Sequence, residues 1–150
     1  MAVYVDQRGS AQALLRPCDD DGRVRAPRLL GTAVRVPQED LSDEGRGTAP
    51  ETPPGEEPWI GWETRGTHEA ADFPLFAPPA RWGAELRGPR SPRPGYTYEL
   101  AFTDPEDSYA YNASVTFDAG QLAAVPAGEV LTLRGTMPRR KFEALARKAC

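Results

Sequence analysis

Tyr96-Thr97-Tyr98-Glu99-Leu100-Ala101-Phe102 is the stretch that decides the fold. Large apolar and aromatic residues fall at every second position, so Tyr96, Tyr98, Leu100 and Phe102 share one face. This is the period-two signature of a half-buried β-strand. Asp104-Pro105-Glu106-Asp107 reads as a turn, built from residues that tolerate turn geometry. Tyr109 to Phe117 then returns with Tyr111, Ala113, Val115 and Phe117 in the same alternation.

Similar patterns lie on both sides. Downstream, Ala119 to Val125 is short enough for a single helical turn carrying Leu122, and Ala127-Gly128 turns into the strand Glu129 to Leu133. Upstream, residues 2–16 read as a hairpin around Arg8-Gly9-Ser10. Leu30, Thr32, Val34 and Val36 alternate with Gly31, Ala33 and Arg35 as a further strand. Trp59 to Thr64, Asp72 to Phe76 and Trp82 to Leu86 are shorter strands, and Pro89, Pro92 and Pro94 stiffen an extended link of polyproline type. Residues 137–149 form an amphipathic helix, with Thr136 as N-cap, Pro138 in the first turn, and Phe142, Leu145, Ala146 and Ala149 at helical spacing. Seven or eight short strands with frequent Gly and Pro turns and one terminal helix predict an antiparallel β-sandwich in a single domain. An open β-barrel is the alternative.

Composition narrows the function classes. The 150 residues include 14 Gly, 16 Pro and one His, with a net charge of −4. No apolar run reaches the length needed to span a bilayer. Residues 37–58 are unlike the rest. They hold Glu39, Asp40, Asp43, Glu44, Glu51, Glu56 and Glu57 against Arg46, five prolines, and Leu41 as the one sizeable aliphatic side chain. A segment this polar cannot offset its ordering entropy by burial, so the expectation is a disordered acidic loop of charge −6 on a body of +2. Arginine richness suggests nucleic acid, but the acidic balance and scattered placement exclude it as a partner.

Cys18 follows the first hairpin, and Cys150 follows the helix. Their pairing would close a loop of about 133 residues, worth at most about 5 kcal/mol by chain entropy, and would imply an oxidising compartment. Two unrelated cytosolic thiols are the alternative. There is no Cys-x-x-Cys spacing for redox chemistry.

Arg93-Pro94-Gly95-Tyr96-Thr97-Tyr98-Glu99-Leu100 resembles a late strand of fibronectin-type and immunoglobulin-like domains, where a Pro-Gly turn leads into a Tyr-bearing strand. In its wider layout, Cys18, Phe142-Glu143-Ala144-Leu145-Ala146 and Cys150 make the chain similar to small secreted or lipid-anchored actinobacterial β-domain proteins of unknown function. That resemblance implies export, a leader peptide or lipid anchor in a fuller form, and no known enzymatic activity. A cytoplasmic location is the alternative.

Few residues point to chemistry. His68 lies in Gly66-Thr67-His68-Glu69, read as a loop, and no serine has a nucleophile-elbow setting. No nucleotide loop or zinc pattern is present, and no cofactor or metal is expected. Trp59, Trp62 and Trp82 are candidate ligand contacts, although a core role is preferred for them. If any of the three is exposed, Trp59 is the choice, because it borders the acidic stretch. The leading expectation is a non-enzymatic, extracytoplasmic β-sandwich that binds a protein or glycan. An inhibitor or immunity-type protein using its acidic loop against a basic partner, and last a carboxylate-dependent hydrolase, are the alternatives.

Overall fold

The computed structural model describes residues 1–17, 22–34, 59–103 and 112–149. Cys18, Cys150, the acidic stretch 37–58 and the acidic turn 104–107 lie outside them. In chain order the strands are β1 (Ala2–Val5), β2 (Ala11–Leu14), β3 (Arg23–Ala33), β4 (Ile60–Glu63), β5 (Thr67–Glu69), β6 (Asp72–Pro74), β7 (Glu85–Arg87), β8 (Tyr96–Thr103), β9 (Asn112–Asp118), β10 (Glu129–Thr132) and β11 (Gly135–Pro138). The helices are α1 (Ala119–Ala123) and α2 (Arg139–Ala149).

Two antiparallel sheets result. One has the order β11-β10-β1-β2-β6, the other β7-β4-β3-β8-β9, with β5 also paired to β3. There is no closed barrel, and the two sheets pack as a sandwich. The expected alternation on β8 and β9 holds: Tyr98 pairs with Phe117, Leu100 with Val115 and Phe102 with Ala113. Their inward side chains meet Val3, Ala13 and Leu15 of the first sheet, together with Trp62, Leu75 and Leu122.

Tyr98 is fully buried at the centre of this layer. Its ring stacks on Phe117 at 5.7 Å and meets Phe76 edge-on at 5.6 Å. Its hydroxyl accepts the Arg93 N–H at 2.8 Å, so the ring end is satisfied. Burial pushes the phenol pKa up.

Tyr98 also explains a departure on β3. The sequence alternation puts Leu30, Thr32 and Val34 on the buried face. Instead Leu29 and Gly31 point inward, and Val34 is 52% exposed. Gly31 lies opposite Tyr98, and a Cβ there would sit 2.6 Å from the ring. The aromatic ring fills the space a β3 side chain would occupy.

β3 also begins earlier than its alternation suggests, because Pro27 interrupts the pattern without ending the strand. A bulge between Arg25 and Arg28 absorbs it. Ala26 there adopts φ +47°, and the Thr64 hydroxyl donates to the Pro27 carbonyl at 2.7 Å.

Other boundaries shift for local reasons. Thr67–Glu69, read as a loop, pairs with the start of β3. The segment Trp82 to Leu86 splits into a 3-10 turn at Ala80–Trp82, stopped by Gly83, and β7. α2 starts at Arg139, because Thr136 and Met137 pair with Leu131 and Val130 as β11. α1 is closed by a capping box between Asp118 and Gln121.

The first sheet has a second apolar face. Ala2, Leu14, Val130 and Met137 lie under Phe142 of α2, flanked by Tyr4 and Leu145. That helix therefore covers the outside of the sandwich. No helix among the described residues is long and apolar enough to cross a membrane.

Two substitutions test the β3 geometry by urea denaturation. Ala26→Gly relieves a left-handed conformation and should raise stability by about 0.5–1 kcal/mol, after glycine's entropy cost. Gly31→Ala forces a methyl against the Tyr98 ring and should cost about 1–3 kcal/mol.

Candidate functional site

α2 forms one wall of a groove on the outside of the sandwich. Its placement begins with Arg16, just after β2. The guanidinium donates to both oxygens of Asp72 on β6 and to both oxygens of Glu143 on α2, the latter at 2.8 and 3.0 Å. Arg139 adds weaker approaches of 3.9 Å to the same two carboxylates, and its guanidinium lies over the Tyr4 ring. The hydrogen bonds to Asp72 and Glu143 hold the Arg16 pKa above its ordinary value. Arg16 holds the Glu143 carboxyl below the usual glutamate range.

Phe142, anchored by this clamp, is 6% exposed. One turn further on, Leu145 and Ala146 are only half-buried. They face Met137 and the β10–β11 turn across a groove of about 410 Å³, also lined by Met1, Ala113, Ser114, Thr132, Leu133, Arg134 and Lys148. The turn that forms one wall is fixed by Thr132. Its hydroxyl donates to the Gly135 carbonyl at 2.9 Å and accepts the Arg134 N–H at 3.1 Å. This bonding projects Leu133 outward, 77% exposed.

The groove is mainly apolar, with Arg134 and Lys148 in its lining. The Thr132 hydroxyl is committed to the turn, and the apolar part of the described lining suits holding an apolar side chain. A second depression, lined by Gly128, Pro138, Arg139, Arg140, Glu143 and Arg147, lies along α2.

The tryptophans separate into two environments. Trp62 is fully buried, and its Nε1 donates to the Leu75 carbonyl at 2.8 Å. Trp82 is 4% exposed and packs against Phe73 at 5.1 Å and Trp62 at 6.1 Å. Both rings are core anchors, and neither has a face open to a ligand. Trp59 is half-buried under the Arg87 guanidinium, 4.2 Å from its ring centre. The three do not form a common surface. His68, on β5, packs on Trp82 at 5.6 Å, and its Nε2 lies 2.8 Å from the Arg65 carbonyl.

Asp72 and Glu143 are the carboxylates the fold brings together, a pairing invisible in the sequence. They share a cation, and the lowered Glu143 pKa is the reverse of what a general acid needs. Among the described residues, no group of three or more His, Cys, Asp or Glu is placed to hold a metal ion. The groove itself was signalled by Leu145 and Ala146 in the helical stripe and by Leu133 ending a strand. Only the packing of α2 puts them side by side.

No protein-family model, curated protein or solved structure matches the chain.

Two outcomes follow. Glu143→Gln should lower stability at neutral pH by roughly 1 kcal/mol, since the pair is partly exposed. A depressed carboxyl pKa stabilises above its unfolded value, near ~4.3, and that stabilisation is lost as pH falls through the folded value. The gap between wild type and E143Q in thermal unfolding should therefore close on acidification. Trp82→Phe should cost about 1–2 kcal/mol less than Trp62→Phe, because Trp82 Nε1 has no acceptor, whereas losing Trp62 strands the Leu75 carbonyl.

Proposed function

We propose that this chain is a non-enzymatic binding module of the immunoglobulin-like kind, working outside the cytoplasm, that takes a segment of a partner protein into the groove beside α2. The observation carrying this reading is the half-exposed apolar strip of Leu145 and Ala146 facing an outward Leu133. Isolated surface leucines are common, but apolar groups converging on a rimmed groove are the form that recognition sites take. A protein is favoured over a glycan because the tryptophans offer a sugar no open aromatic platform among the described residues. Trp62 and Trp82 are core residues, and Arg87 already covers Trp59.

The test is selection of a random displayed-peptide library on the intact chain, with the site mapped by amide chemical-shift changes. Enriched peptides should carry a large apolar residue and perturb Leu133, Met137, Leu145 and Ala146. The double variant L133S/L145S should weaken them by about ten-fold or more while circular dichroism stays unchanged. Selected peptides that map elsewhere, or none at all, would overturn the reading.

The extracytoplasmic part rests on Cys18 and Cys150. Mass spectrometry under non-reducing conditions should find them joined, and two freely alkylated thiols would remove this support.

A further inference from the structure

We infer that the segment taken by this groove is acidic, a short stretch of Asp and Glu around one large apolar side chain. The inference rests on the groove being a binding site and adds the chemistry of its occupant. Its basis is a one-signed charge distribution around an apolar floor. Among the described residues no carboxylate lines the groove, while Arg134 and Lys148 do.

The adjoining surface of α2 repeats that sign. Lys141 is exposed one helical repeat before Lys148, and with Arg134 and Lys148 it makes no ion pair among the described residues. The one acid of the helix does not offset them. Glu143 is bound on both oxygens by Arg16, with Arg139 also beside it, so its charge is neutralised within the fold.

The spread of these cations favours a peptide over a small anion. From Lys141 to Lys148 the helix advances about 10 Å, a distance suited to several carboxylates along a chain and not to one phosphate. The apolar floor requires a side chain between those charges. Long-range attraction from a patch of one sign speeds encounter, and the apolar contact then sets the register.

The probe is a fluorescein-labelled 12-residue peptide of Asp and Glu with one central Leu, followed by anisotropy against the full chain. Two control peptides replace the Leu with Ser, or the acids with Lys. The acidic Leu peptide should bind, weaken steeply with added salt, and lose about ten-fold or more on Leu→Ser. The variant R134E/K148E, with its fold checked by circular dichroism, should lose binding to a similar degree and gain affinity for the lysine peptide.

Equal binding of the acidic and lysine peptides, or indifference of the acidic peptide to R134E/K148E, would overturn the inference. So would capture of the chain by anionic phosphatidylserine vesicles with no binding of the acidic peptide. If library peptides that map to the groove are neutral or basic, the binding site stands and its acidic preference falls. If no peptide maps there, both fall.

Discussion

A single guanidinium determines where α2 lies. Sheet packing alone does not specify the position of a helix on an outer face, because apolar contact is non-directional. Arg16 supplies the direction. Its planar fork meets one carboxylate on β6 and another on α2, and the bidentate geometry on both sides restricts position and rotation together. Phe142 then closes over Ala2, Leu14, Val130 and Met137, and the next helical turn extends beside the β10–β11 turn. The groove is a by-product of a helix pinned near its start.

The interior depends on a different fit. Tyr98 is accommodated because β3 has no side chain at Gly31 and because Arg93 offers an N–H to its hydroxyl. Around it, Phe76 and Phe117 pack edge-on and stacked, which gives a modest apolar inventory a defined arrangement. The bulge at Ala26–Pro27 keeps β3 long enough to pair with β5 and β4 along one side and β8 along the other. The two sheets consequently share one continuous core while α2 has its own.

Much of this architecture was legible. The β8 and β9 alternation, the first hairpin, the Leu122 turn and the terminal helix all follow from local periodicity. The misread places are those where a distant residue overrides the local pattern. The inward face of β3 is set by Tyr98, nearly seventy positions away. β11 is strand because β10 pairs with it, despite a convincing cap at Thr136. The Trp residues were visible as a choice between core and surface, and burial divides them. The clamp of Arg16, Asp72 and Glu143 leaves no local trace, since its members are brought together by the fold alone.

The sheet edges bear on how the molecule behaves at high concentration. β6 ends in Pro74 and carries Asp72, β11 ends in Pro138, and β7 presents Glu85 and Arg87 on only three residues. Proline and charge on short strands discourage another chain from adding to a sheet. β9 differs: it is seven residues long, its odd positions are apolar, and its interior has no proline or charge. Among the described residues only β8 pairs with it. Among the described residues, backbone pairing with another copy would therefore meet the fewest obstacles along β9. Two copies meeting edge to edge there would be related by a two-fold axis, which closes the pair.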